Sequence, residues 1–285
     1  MLDKETKALL DDFIERGLQE DAPEGDRTSI ACIDPKARNK AKLLVKDVGI
    51  IAGIEVAKYI FEKVDSSVVF TQHLQDGDEV RFGQIAFEIE ATSQGILLGE
   101  RLVLNTMQRM SGIATLANHF VFETEDLNVK VLDTRKTTPQ MRFLEKIAVK
   151  IGGCYNYRHS LSDWFMIKDN HIDACGGIKQ AIERVAAYQK ENNLDLGVTV
   201  EVRNLVELHE VLNIGQVTRI MLDNFELPLL YEAVATVNKR FETEASGGIN
   251  INTVRKVAKT GVDYISVGAL THSVPAFDLS LKIVK

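Results

Sequence analysis

Apolar positions along the first hundred residues recur in short, mixed patterns. Within residues 4–20, Leu9, Leu10, Phe13 and Leu18 fall near helical spacing, which predicts a helix packed along one side. Pro23 and Gly25, in the polar stretch from Asp21 to Asp26, end it. Leu43, Leu44 and Val45, and then Val48 to Gly53, read as strand and turn, and Val56 to Val64 as a short helix. Val68 to Phe70, Glu79 to Arg81 and Ile85 to Ile89 are β-type, with Asp76-Gly77-Asp78 as a turn between them. The segment reads as a small α+β layer.

The texture changes near Gly95. Ile96 to about Glu123 reads as one or two long helices, with Ser111-Gly112 as the expected break. Beyond it one pattern repeats: a short apolar run, a polar cluster, then a helix. The runs are Val129 to Leu132, Phe165 to Ile167, Val198 to Val202, Arg219 to Leu222, Phe241 to Ala245 and Tyr264 to Val267. Helical faces between them include Ile178, Ala181, Ile182 and Val185, then Leu205, Leu208, Val211 and Leu212. Strands alternating with helices predict an α/β fold with a parallel sheet and right-handed crossovers. Six strands can be counted this way.

Composition narrows the classes. At about 150 residues per domain, a chain of 285 predicts two domains. An apolar share of 45% with 26% charged residues is that of a folded globular protein. No run approaches the roughly 18–20 apolar residues of a membrane span, and residues 1–20 read as an amphipathic helix rather than a signal peptide. The net charge of −7 argues against a general nucleic-acid surface, which needs a basic face. Cys32, Cys154 and Cys175 are odd in number and form no CxxC pair, so free thiols in a cytoplasmic protein are expected.

The chemistry gathers at the ends of the second set of strands, where barrels and open α/β sheets place their sites. Arg135 and Lys136 follow one strand, Lys168 ends another, and Arg158 lies in the loop after Gly152. Singly, each fits a surface salt bridge. Together on one mouth they repel unless anions occupy it, and guanidinium groups grip two oxygens of a carboxylate or phosphate at once. Glu201 sits within an apolar strand and Asp223 ends the next. A buried carboxylate needs a partner, either one of the cations or a hydrated Mg2+ shared with phosphate oxygens. Ser246-Gly247-Gly248 and Gly268 leave backbone N–H groups open to a phosphate, the former ahead of a helix expected near Asn252. His171 reads either as a base or as a hydrogen-bonded scaffold piece. Walker and GxGxxG motifs are missing, so P-loop and Rossmann readings fail.

Laid out in order, these strand ends resemble the quinolinate phosphoribosyltransferases, the decarboxylating nicotinate-nucleotide pyrophosphorylases of NAD synthesis. The resemblance rests on Glu24 to Thr28 (EGDRT), Gly99 to Arg101 (GER), Ser111 to Ala114 (SGIA), Asp133 to Thr137 (DTRKT), Ile167 to His171 (IKDNH), Val200 to Val202 (VEV), Leu222 to Phe225 (LDNF), Ser246 to Gly248 (SGG) and Val267 to Ser273 (VGALTHS). It implies an N-terminal α/β sandwich domain (1–110 plus 275–285) and an incomplete seven-stranded α/β barrel (111–274), the type II phosphoribosyltransferase architecture. It also implies a homodimer or larger assembly, Mg2+ as cofactor, and quinolinate and 5-phosphoribosyl-1-pyrophosphate as substrates. Arg135, Arg158 and Lys168 match the quinolinate-binding cations, and Arg101 matches the arginine supplied by the partner subunit. Lys136, Glu201 and Asp223 match the catalytic, phosphoribosyl-pyrophosphate and metal side. Ser246, Gly247, Gly248 and Gly268 match the phosphate cradle.

Tyr157 departs from the family pattern, in which His usually precedes the arginine. Tyr can hydrogen-bond an anion but carries no positive charge, and His159 faces the other way along an extended chain. Three alternatives stand beside the main reading. One is a paralogue acting on another carboxylated ring such as nicotinate. Another is a barrel aldolase with Lys136 or Lys168 as Schiff base, which borohydride trapping would reveal. The last is a non-catalytic ligand-binding relative.

Overall fold

The computed structural model describes residues 2–284. In chain order its first elements are α1 (Lys4–Asp21), α2 (Arg27–Cys32), β1 (Arg38–Val45), β2 (Gly49–Ile50), α3 (Ile54–Val64), β3 (Val69–Gln72), β4 (Glu79–Val80), β5 (Ile85–Thr92) and α4 (Ser93–Thr124). There follow β6 (Lys130–Leu132), α5 (Arg142–Ile151), β7 (Phe165–Ile167), α6 (Asp169–Cys175), α7 (Ile178–Glu191), β8 (Val198–Val202) and α8 (Leu205–Ile214). The chain closes with β9 (Arg219–Asp223), α9 (Leu227–Val237), β10 (Glu242–Ser246), α10 (Val254–Ala258), β11 (Tyr264–Ser266), α11 (Ala269–His272) and β12 (Leu279–Val284). No helix among the described residues is long and apolar enough to cross a membrane.

Contacts divide the chain into two compact units. One holds the residues up to Asn118, Thr137–Gly153 and those from Ser273 onward; the other holds His119–Lys136 and Cys154–His272. The segment Thr137–Gly153, which the sequence reading puts in the second domain, groups with the first. Its contacts explain why. Glu145 on α5 has no exposed surface and pairs with Arg109 of α4 at 2.8 Å. A Cβ on Gly152 would fall 2.3 Å from the Ala114 carbonyl oxygen.

In the first unit, a four-stranded antiparallel sheet runs in the order β12-β1-β5-β3. The pairing of β1 with β12 sets Lys40 opposite Val284 and Val45 opposite Leu279. At the start of α1, the Asp3 carboxylate accepts the Thr6 N–H at 2.7 Å. Leu10 and Ile14 are its buried positions, whereas Leu9 is exposed. Asp26, within the EGDRT stretch, caps α2 by accepting from the Thr28 and Ser29 N–H groups. α4 is a single helix, which corrects the break expected at Ser111-Gly112. The Ser111 hydroxyl bonds both backbone groups of Ala52, and a Cβ on Gly112 would lie 2.3 Å from the Pro275 carbonyl oxygen. That glycine serves close approach, not helix termination.

The second unit is a parallel sheet in the order β6-β11-β10-β9-β8-β7. Six strands stand where the family architecture implies seven. Where a further strand would lie, Tyr155 makes an isolated parallel bridge to Leu132. The segment then leaves the sheet, because the buried Asp133 carboxylate takes the Tyr157 N–H at 2.8 Å. β6 and β7 are the outer strands and do not pair, so the barrel is incomplete.

Strand alternation decides what faces inward. On β8 every residue is buried, with Val198, Val200 and Val202 on one face and Thr199 and Glu201 on the other. The same parity on its neighbours aligns Met166 and Lys168, then Arg219, Met221 and Asp223, then Glu242, Glu244 and Ser246, then Tyr264, Ser266 and Gly268. One face of the sheet is thus aliphatic and the other carries the polar chemistry.

Candidate active site

A cavity of about 780 Å3 opens among the ends of these strands in the second unit. It brings together Arg135, Lys136, Tyr157, Arg158, Lys168, Glu201, Asp223, Ser246, Gly247, Gly248 and Gly268. Arg101 does not line it; this side chain is exposed on the part of α4 that belongs to the first unit.

The cations are held on short tethers. After β6, the Lys136 N–H donates to Thr134 Oγ1 at 3.0 Å, and the Thr271 hydroxyl donates to the Lys136 carbonyl at 2.8 Å. Gly268 leaves room for the Lys136 stem, since a Cβ there would lie 3.1 Å from Lys136 Cδ. Arg158 donates to the Trp164 carbonyl at 3.3 Å. Burial, and then the charge of Arg135, pull the Arg158 pKa below its ordinary value. Both guanidinium groups line the same cavity, where like charges repel. An anion between them relieves it.

Lys168 is hydrogen-bonded to Glu201 as an ion pair, with the carboxylate nearly buried and the ammonium partly exposed. The backbone N–H of Lys168 donates to His171 Nδ1 at 3.0 Å, which makes His171 a scaffold at the start of α6. Asp223 accepts from the Ser246 hydroxyl at 2.6 Å and from the Asn224 side-chain amide at 2.6 Å. Asn224 has φ +56° and sends its N–H to the Ser246 carbonyl at 2.9 Å. A Cβ on Gly247 would fall 2.1 Å from Asn224 Oδ1, and Gly247 and Gly248 both have positive φ. The close approach of Asn224 leaves no room for a side chain at Gly247. The helix expected after it near Asn252 begins at Val254 and spans five residues, so backbone amides rather than a long helix dipole face the cavity here.

Among the described residues, no cluster of three or more His, Cys, Asp or Glu side chains could enclose a metal. Glu201 and Asp223 already have partners within the protein. Such a donor pair fits a hydrated Mg2+ held mainly by substrate phosphates, and not an all-protein cage.

Tyr157 lines the cavity with its ring while its hydroxyl turns inward, sharing a 2.6 Å hydrogen bond with Thr199 Oγ1. Burial, and then the Glu244 charge, push its pKa far up, so it stays neutral. His159 is exposed on a turn where its N–H donates to Asp163 at 2.6 Å. Several cavity residues escaped the sequence reading: Thr134, Met166, Met221, Asn224, Ile249 and His272. The two methionines and the polar layer beneath them, with Thr199, Arg219 and Glu244, follow strand parity and could have been found that way. Cys32, Cys154 and Cys175 form no disulfide, and burial pushes the Cys154 thiol up to about 12.

A parallel α/β barrel with crowded cations facing two carboxylates and a glycine cradle defines a class: enzymes that act on carboxylate and phosphate groups together. Comparison with known proteins narrows it. Residues 26–111 match the family model described as the N-terminal domain of quinolinate phosphoribosyl transferase, and residues 113–282 match its C-terminal domain. Quinolinate phosphoribosyltransferase [decarboxylating] 1b of Nicotiana tabacum is 46% identical, covering 95% of this chain and 81% of its own length. The chloroplastic nicotinate-nucleotide pyrophosphorylase [carboxylating] of Arabidopsis thaliana is 45% identical, with coverage of 95% and 81%. The crystal structure of NadC from Streptococcus pyogenes superposes with a TM-score of 0.90 at 37% identity, covering 97% of each chain. The chain belongs to the quinolinate phosphoribosyltransferase family.

Proposed function

We infer that this protein transfers the phosphoribosyl group of 5-phosphoribosyl-1-pyrophosphate to quinolinate, releasing pyrophosphate and CO2 and forming nicotinate mononucleotide. The observation that carries the reading is the convergence of Arg135, Lys136, Arg158 and Lys168 on one cavity that also holds Glu201 and Asp223. Vicinal carboxylates on an aromatic ring match the paired guanidinium groups and an ammonium. Their grip holds the ring nitrogen in line with the anomeric carbon, which it attacks as pyrophosphate departs. The ring nitrogen is then a pyridinium, whose positive charge stabilises the electron pair left on the neighbouring carbon when its carboxylate leaves as CO2, and a proton from water takes up that pair. No side chain needs to act as nucleophile. Lys136, beside the glycine cradle of Ser246, Gly247, Gly248 and Gly268, steadies the departing diphosphate.

In this reading Glu201 and Asp223 hold a hydrated Mg2+ that arrives with the diphosphate. When bound, the ion neutralises charge on the leaving group. The working unit is a homodimer in which Arg101 reaches the partner's site, and the setting is the cytoplasm, although several plant relatives carry mitochondrial or chloroplastic names.

The test is to incubate purified protein with quinolinate, phosphoribosyl pyrophosphate and Mg2+, and to assay nicotinate mononucleotide and CO2. Nicotinate in place of quinolinate should give little product, because a single carboxylate leaves some of the clustered cavity cations without an anionic partner. Arg135→Ala should lower kcat/KM for quinolinate by about 2–5 kcal/mol, roughly thirtyfold or more, with the circular dichroism spectrum unchanged. Wild-type turnover in that variant would remove Arg135 from the binding site.

A further inference from the structure

Beneath the cavity, the inward positions of the central strands form a polar layer that the chemistry above leaves unused. Thr199 on β8 has no exposed surface, yet its hydroxyl serves two aromatic neighbours. Trp164 Nε1 donates to it at 2.8 Å, and the Tyr157 hydroxyl meets it at 2.6 Å. The Tyr157 and Trp164 rings also face the Arg219 guanidinium, 5.0 Å and 5.5 Å from their centres, which links them to Glu244, a fully buried carboxylate on β10. Glu244 in turn accepts from the Ser266 hydroxyl and pairs with Arg219 at 3.1 Å. Arg219 lies 3.6 Å from the centre of the Tyr264 ring and makes a second ion pair, with Glu242, at 2.9 Å.

This layer underlies one substrate cation. Arg158 directly follows Tyr157, and its guanidinium donates to the carbonyl of Trp164. Both flanking aromatics are fastened to Thr199. Space for Trp164 is itself built in, since a Cβ on Gly197 would fall 2.1 Å from its ring. The segment from Tyr155 to Trp164 makes only the single bridge to β6, so no strand ladder holds Arg158 in place. Repulsion by Arg135, together with the cost of leaving water, drives such a guanidinium outward. Something must hold it in before substrate arrives.

We propose that Thr199 and Glu244 are positioning residues, which act through Tyr157 and Trp164 to fix the Arg158 guanidinium and so set the affinity for an aromatic vicinal dicarboxylate. The proposal rests on the functional reading above, which makes Arg158 a carboxylate ligand. Neither residue touches substrate. Their contribution is to have Arg158 already ordered when the ring enters. The phosphate cradle that the functional reading gives to phosphoribosyl pyrophosphate lies at the ends of β10 and β11 and makes no contact with Thr199 on β8.

The test uses the full chain and compares Thr199→Val, Thr199→Ser, Tyr157→Phe and Glu244→Gln. Valine keeps the volume of Thr199 and loses only the hydroxyl, and melting temperatures check that each variant folds. Kinetics give KM for each substrate separately. Calorimetry gives the affinity for benzene-1,2-dicarboxylate, which has both carboxylates but no ring nitrogen to react. Thr199→Val should weaken dicarboxylate binding and raise the quinolinate KM about tenfold, with the phosphoribosyl pyrophosphate KM within about twofold. Thr199→Ser should restore both. The double variant Thr199→Val with Tyr157→Phe should be no worse than the worse single, because both break one path. Glu244→Gln, which still accepts hydrogen bonds, should lose less than Thr199→Val.

A Thr199→Val protein with wild-type dicarboxylate affinity would overturn the frame, whatever its melting temperature. Equal rises in both KM values, or additive effects in the double variant, would overturn it too. If the wild type binds no dicarboxylate and turns over no quinolinate, the functional reading falls and takes this proposal with it.

Discussion

Lys168 and Glu201 satisfy each other in a site whose two roles, in the proposed reaction, pull them apart. Lys168 is to meet a substrate carboxylate, and Glu201 is to face the hydrated metal of the diphosphate. Each ligand must therefore displace one member of an existing ion pair. A partly exposed pair of this kind is worth on the order of 1 kcal/mol. Glu201→Gln removes the competitor for Lys168. We expect it to tighten benzene-1,2-dicarboxylate binding by roughly fivefold in calorimetry without phosphoribosyl pyrophosphate. The same variant should raise the Mg2+ concentration needed for half-maximal turnover. Unchanged dicarboxylate affinity would show that the pair does not restrain Lys168. Asp223 has no such rival; its partners are the neutral Ser246 and Asn224, which orient it without neutralising it.

At the scale of elements, Asp65 is the junction that joins α3 to the β5–α4 corner. One carboxylate oxygen takes the Ser67 N–H at 2.8 Å and its hydroxyl at 2.6 Å; the other takes the Thr92 N–H and hydroxyl, both at 2.8 Å. Burial raises its pKa, but hydrogen bonds from Ser67 and Thr92 more than offset this and hold it well below the usual carboxylate range. A depressed native pKa stabilises the fold above the unfolded value near 4, and that stabilisation is lost as pH falls toward the native value. Asp65→Ala should cost about 1–3 kcal/mol in urea unfolding at pH 7, and its deficit should shrink below about pH 4. A deficit independent of pH would mean that the ionised carboxylate is not what matters.

Elements were legible where period and punctuation agreed. The run of short apolar strands followed by polar ends marks all six strands of the second unit, and Gly25 and the glycines of SGG stand at turn positions of positive φ. Where local cues misled, the cause is tertiary. Ser111-Gly112 carries a helix-breaking signal but lies mid-helix, because Pro275, distant in sequence, needs the missing side chain. Tyr157 lines the cavity beside Arg158, and the Thr199 partner of its hydroxyl, distant in sequence, is a contact that local cues do not show. Arg219 and Glu244 carry no motif, so the sequence assigns them no chemistry. Only their parity with Asp223 and Ser246 reveals that they face inward.

Over the whole molecule, the −7 total describes the average surface and conceals the cavity, where cations outnumber acids. Arg101 is not among the cavity residues, and its proposed role depends on the proposed dimer. If a second copy supplies it, Arg101→Ala and Arg135→Ala should each be nearly inactive alone. Mixing the two after denaturation and refolding should recover activity, because a mixed dimer carries one site with neither defect. No recovery would argue against a shared site.

Chain order adds a constraint of another kind. β1 is made well before one of its partners, β12, and every strand of the second unit is made between them. Until β12 follows, β1 presents an open hydrogen-bonding edge on that side. The second unit, whose strands are all in place by Ser266, can complete its sheet first. The first unit must wait, so newly made chains stalled before Leu279 are the ones most exposed to strand-mediated aggregation.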